Sequence, residues 1–596
     1  MKKLTYLLIL ILLTTFTSQA QWQFNSNGSG IQTIFTNASG FASTAMGYET
    51  EANGSHSTAM GINTIASGYA STTMGDKTTA SGQFSIATGN NTEASGWAST
   101  TMGQLTLASN FNAIATGFGS EASGNCSTAM GINTTASGDV STAMGGSTLA
   151  SGNYSTALGA ETIASGEAST ATGTRTRANG NYSTAMGYET EANGVYATAI
   201  GKNTIASGFN STVMGQNTIA SGAISTAMGI NTNAAGNFTT AMGSNSSASG
   251  DYTTAIGNGN SATGDYSISI GNDNTTAEGE FSLAMGIGTL ASGDYSTTMG
   301  YYTNASGIYS TSMGANTTAS GSASTAMGNG SEAIGEASMA MGQGASAGGN
   351  FSTAMGINTS SIGQGSTAMG SSTIASGLDS TAMGFDSEAT GDGSTAMGRL
   401  TVASGSASTA MGNGSEAIGE ASMAMGQGAS AGGNFSTAMG INTSSIGQGS
   451  TAMGSSTIAS GLDSTAMGFD SEATGDGSTA MGRLTVASGG ASTAMGNGSE
   501  AIGENSTAMG YGGRVSDYAS TVIGHYNLTG ISPTSATSFS LDAPAFVIGN
   551  GLANVDRSDA FSILFDGTTN IAGSVTATSF IGDGSQLTNL PNENTD

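Results

Sequence analysis

The 596 residues carry 10 Lys+Arg against 38 Asp+Glu, for a formal net charge of −28. That balance lacks the basic footprint a nucleic-acid partner requires and disfavours docking on anionic lipid. The single cysteine, Cys126, excludes an intrachain disulfide, and its slot is held by tyrosine in other copies of the repeat (Tyr154, Tyr182), so it reads as a tolerated substitution.

Residues 1–20 are expected to be a secretory leader. Lys2 and Lys3 give the positive start, Leu4 to Leu13 the apolar run, and Ser18-Gln19-Ala20 the small-x-small cleavage site. The apolar run is too short for a comfortable membrane span and no second candidate is found, so direct membrane insertion is not expected. Residues 21–37 carry Trp22, Phe24 and Phe35 outside any period. They are expected to cap the first rung of the repeat that begins at residue 38, with a tip binding site as the alternative.

From residue 38 to 530 one phrase recurs, G-x-x-S-T-A-M-G-x-x-T-x-A-S, as in Gly54–Ser67. A strict short period makes each copy one rung of a solenoid stacked on its neighbours. Low-complexity disorder would have no reason to hold a side-chain register. Each half of the phrase suits a short strand followed by a glycine-led corner, with glycine permitting positive φ and close stacking of the turns. All three prolines, Pro533, Pro544 and Pro591, lie beyond the repeat, as a backbone bonded on both sides requires.

Alternation assigns the faces. Ser57 and Ala59, with Thr64 and Ala66 of the second half, are expected to fill a thin interior. Thr58 and Met60 then point outward. Apart from Met1, Met339 and Met423, every methionine falls in the outward column. With thirty-odd rungs at about 4.8 Å each, the strip comes to roughly 1,600 Å², several times what a monomer exposes. A parallel second copy covers it most simply. The expected seam therefore includes Met46, Met60, Met74, Met102, Met130, Met144, Met186, Met214, Met228, Met242 and Met285. Where the column holds Thr88 or Thr116, bulk moves two residues back to Ile86 or Ile114, as in a packed seam; Thr170/Thr172 shows no such exchange.

The pattern departs from this period in three places. One residue is inserted between Gly271 and Gly279. Residues 321–404 recur unchanged as 405–488. From Ile531 the composition shifts to FVIGNG, FSILFDG and SFIGDGSQLTNLP, read as a separate small β-rich element over residues 531–596.

The residue inventory argues against an enzyme. His56 and His525 sit far apart in variable slots, and no catalytic triad or Cys/His metal set can be assembled. Acidic residues such as Asp139, Asp251, Asp265 and Asp294 share one corner slot and read as a solvated rim. No cofactor or metal is expected.

The half-rungs S-T-A-M-G and T-x-A-S-G resemble the repeat of the YadA-like head of trimeric autotransporter adhesins, over roughly residues 38 to 530. The resemblance implies an all-β, left-handed parallel β-roll of 14-residue coils, assembled as a parallel homotrimer on the cell surface. It implies attachment to extracellular matrix protein, glycan or other cells. The tail is similar to strand-rich segments of Bacteroidetes surface proteins and tail-fibre-like proteins. Neither the heptads of a stalk nor the strands of a membrane barrel are read in the chain, which leaves its tether open. Two other readings stand beside the adhesin. One is ice or crystal-surface binding through a threonine row (Thr64, Thr78, Thr92, Thr106, Thr134). The other is a structural spacer of a fibre or phage-like assembly.

Overall fold

The computed structural model describes residues 35–529 and 534–579, with residues 23–24, 28, 31–33, 581–582 and 588. The expected leader and Trp22 lie outside the described residues. Two compact units, residues 1–316 and 317–596, are described separately.

Within each unit every 14-residue phrase forms one coil of two parallel strands. The first is five residues long, as in Thr58–Ile62; the second has two, as in Ile65–Ala66. Successive coils pair in parallel and in register, so that Thr44, Ala45, Met46, Gly47 and Tyr48 lie beside Thr58, Ala59, Met60, Gly61 and Ile62. The short strands do the same, with Glu51 beside Ile65 and Ala52 beside Ala66. This is the all-β parallel solenoid the period predicted.

The interior is as thin as the small-residue columns implied. Ser57, Ala59, Thr64 and Ala66 are all 0–1% exposed, and their counterparts repeat the burial rung after rung. Some of the buried hydroxyls turn back on the backbone, Ser71 Oγ donating to the Gly68 carbonyl at 2.8 Å and Ser127 Oγ to that of Gly124 at 2.7 Å, while others, those of Ser57 and Thr64 among them, are buried without a hydrogen-bond partner. Across rungs, Ser246 Oγ donates to the Gly257 carbonyl at 3.1 Å. A satisfied hydroxyl costs little to bury.

The role of glycine matches the sequence expectation in its close stacking of the rungs and differs at the corners. The residues with left-handed φ at the corners are mostly not glycine: His56 has φ 62°, Asn63 53°, Ala70 51° and Lys77 56°. Glycine is needed instead where rungs touch. Gly61 lies inside the long strand at φ 133°, and a Cβ there would strike the Gly75 carbonyl oxygen; one on Gly54 would strike that of Gly68. Gly229→Ala, which meets Gly243 in the same way, is therefore expected to cost about 2 kcal/mol or more of local stability. Gly146→Ala, with open space around it, is expected to stay within about 0.5 kcal/mol. Amide hydrogen exchange at the flanking rungs separates the two outcomes.

The insertion after Gly271 is confined to a corner, where Asp273 and Asn274 take left-handed φ in succession. Strand pairing resumes at once, offset by one residue, with Ile268 beside Leu283. Tyr302 reaches back over Gly288, whose missing side chain leaves room for the ring, and donates its hydroxyl to Asp273 Oδ2 at 2.8 Å. That carboxylate holds the Tyr302 phenol above its usual range.

Both termini of the repeat reverse direction. Ile31–Gln32 pairs in parallel with Thr44–Ala45, and Gln23–Phe24 runs antiparallel to it. In the second unit the tail is not a separate element, as its changed composition had suggested. Pro544–Asn550 adds in parallel to Thr521–His525, placing Phe546, Val547, Ile548 and Gly549 beside Thr521, Val522, Ile523 and Gly524. Asp559–Leu564 and Thr569–Ile571 then add as antiparallel strands. The physical reason is that FVIGN repeats the alternation of TVIGH, so the exposed edge of the last rung accepts it as one more strand. Val515, Val522 and Val547, each 3% exposed, close the interior where alanine had filled it.

Candidate interaction surfaces

The outward side of the five-residue strand is where the expected seam lies. In the isolated chain Met74, Met102, Met144, Met186, Met214 and Met285 are exposed, at 36–48%. Met46, Met60, Met130, Met228 and Met242 are half-buried. Register brings many of them side by side: Met46 lies beside Met60, Met130 beside Met144, and Met228 between Met214 and Met242. Ile86 and Ile114 are exposed at the rungs that carry Thr88 and Thr116. Both positions of each exchange thus belong to the outward side.

A further apolar column was missed. The last residue of the long strand is frequently large and exposed, as in Tyr48, Ile62, Ile132 and Ile230 at 50–58%. Its distance from methionine, two residues, carried the signal. The variety of residues at that slot hid it from a search for an invariant one.

The corners carry a second kind of surface. Phe238, Tyr252, Tyr266, Phe281, Tyr295 and Tyr309 stack as one ladder, with ring centroids 4.6–5.0 Å apart and planes within 20° of each other. All six rings remain about half exposed. Left-handed φ turns each one outward, and the rung spacing equals the preferred separation of offset-stacked rings. Beside the ladder, Asp265 Oδ1 accepts the Asp251 amide at 2.8 Å, and Asp294 Oδ1 accepts that of Glu280 at 2.9 Å. The acidic corner slot thus ties one rung to the next. At the opposite corner the Asn203, Asn217, Asn231 and Asn245 amides form a ladder of 3.0–3.1 Å hydrogen bonds.

Charge is concentrated at one place in the first unit. Arg175 bridges Glu161 and Glu189 at 3.0 Å each, and Arg177 pairs with Glu191 at 3.0 Å. The two carboxylates raise the Arg175 guanidinium further above its ordinary range. The side chains are largely solvated, so these pairs align rungs more than they stabilise them. His56 sits between Phe41 and Tyr69, its ring about 5.5 Å from each. The threonine row Thr64, Thr78, Thr92, Thr106 and Thr134 is 0–1% exposed, which removes it as a lattice-matching surface.

A family model described as the YadA head domain repeat (2 copies) matches the chain in successive windows, from residues 38–64 through to 487–512. No curated protein matches the chain.

Proposed function

Because the chain belongs to the family of proteins built from YadA head domain repeats, we propose that it is the head of a surface or secreted adhesin-like fibre, working as a parallel homotrimer. The observation that supports this most is the methionine column. An apolar strip renewed on most rungs, its methionines half-buried or 36–48% exposed, calls for a covering chain. A parallel copy in the same register sets each rung against its twin, methionine to methionine on most of them. The seam comprises the outward methionines from Met46 to Met285 and their later counterparts.

With that side covered, the corners and the short-strand side remain to meet an extracellular target. Repeated Asn, Ser and Tyr slots make many equivalent weak contacts, and three chains multiply them through avidity rather than one deep pocket. Matrix protein, glycan or another cell surface is the proposed target class, without catalysis or cofactor. Purified protein is expected to retain matrix proteins, glycans or whole cells in a surface-binding assay, and deletion of the gene to reduce attachment. Undiminished attachment by the deletion strain would contradict the assignment.

A further inference from the structure

The tail sheet has two unlike faces. Phe546 and Ile548 take the places of Thr521 and Ile523 on the side that carries methionine in the preceding rungs. The next strand sets Ile563 opposite Phe546 and Phe561 opposite Ile548, and the last sets Ile571 opposite Phe561. Directly opposed residues share a face. Five large apolar side chains therefore gather on three strands, where most earlier rungs offer one Thr and one Met beside the variable residue that ends the strand. The reverse face is mixed beyond Val547: Ser562, between Ala560 and Leu564 on that side, lies opposite Val547, and Asn570 lies opposite Ser562, the two polar side chains being hydrogen-bonded at 3.4 Å. Phe546, Phe561 and Ile563 are only half-buried, and Ile571 is 44% exposed. A few strands with an open apolar face are marginal in water unless something packs on that face.

The repeat poses a separate problem that this face answers. Residues 321–404 and 405–488 are identical, and their contacts repeat as well. Arg399 stacks on Phe385 at 5.8 Å and Arg483 on Phe469 at 5.7 Å; the Ser361–Ser366 and Ser445–Ser450 bonds are both 2.6 Å. Two copies slipped by 84 residues would meet with methionine still facing methionine over the overlap. Uniform, glycine-rich strands specify register weakly. The apolar cluster of the tail has no counterpart within the repeat, so it can match only its own twin.

We infer that the outward face of the tail sheet, formed by Phe546, Ile548, Phe561, Ile563 and Ile571, docks a second copy of this chain and fixes the register of the assembly. This rests on the proposal that the chains associate through the methionine side. Continuity identifies the occupant: the face extends the same sheet side that the neighbouring chain covers below.

The test uses the full chain with Cys126→Ser as background and two single-cysteine variants, Met383→Cys and Met467→Cys, 84 residues apart in identical surroundings. The two are mixed unfolded, refolded together and oxidised. With the native tail, cross-links between position 383 and position 467 are expected to stay at background while like-to-like cross-links form. With Phe561→Ser/Ile563→Ser, the unlike product is expected to rise to a level comparable with the like products. Ile571→Ser, on the outermost strand, is expected to give a smaller rise and keeps the test open should the double variant fold poorly, which far-UV circular dichroism reports. Equal like and unlike products with the native tail, or no change on substitution, overturn the inference and leave the trimer standing. A monomer by light scattering with no cross-links of either kind overturns the association itself, and the inference with it.

Discussion

Ala227→Leu is expected to break the solenoid at its own rung. Ala227 is fully buried between Val213 and Ala241 in a parallel column, and the facing column is Thr and Ala. The slot admits Ser269, Thr73 or Val213, all 0% exposed, and nothing larger occupies it among the described residues. The bulk that leucine adds beyond valine cannot be absorbed by a local shift, since each strand is hydrogen-bonded to rungs above and below. Overpacking of this kind costs about 1–3 kcal/mol in ordinary cores. In a repeat whose stability is a sum of nearest-neighbour contacts, the same cost uncouples the rungs on either side. Limited proteolysis should then yield two protected fragments meeting near residue 227, where the parent gives none. Ala227→Ser should behave as the parent.

The second large effect concerns assembly. Met214→Asp, Met228→Asp and Met242→Asp together place three carboxylates on adjacent rungs of the seam in every chain. Each lost methionine, already half-buried in its own chain, forfeits about 1 kcal/mol of apolar burial on association. Each new charge adds a desolvation cost of several kcal/mol if it stays unpaired. The proposed trimer should dissociate at micromolar concentration, with the β-content of each chain unchanged, because these side chains point away from the interior. Replacing the same three by leucine should leave the trimer intact, since volume-conserving apolar exchanges are tolerated. Sedimentation velocity of the two triple variants at matched concentration distinguishes the outcomes.

Much of the fold was legible because a fixed period lets one rung stand for all. Strand pairing, the buried Ser57/Ala59 and Thr64/Ala66 columns and the outward methionines come from alternation alone. The corners were less legible. Left-handed φ there is imposed by stacking on the rung below and is borne by residues as varied as His56, Tyr154 and Lys77. Local preference, about 1–2 kcal/mol against such a conformation for most residues, pointed to glycine instead. The aromatic ladder from Phe238 to Tyr309 was hidden for a related reason: 14-residue spacing in a variable slot becomes contact only once coils are stacked. The tail misled through its composition. Pro544 and a new vocabulary suggested a boundary, while Phe546–Asn550 kept the parity of the long strand and so joined its sheet.

Multi-angle light scattering of the purified chain in dilute buffer bears most directly on the claim that the methionine side is covered by further copies. The expected result is a mass about three times the 58.1 kDa of the chain, with most of the methionines resisting mild peroxide. A stable single-chain particle whose methionines oxidise freely would contradict it.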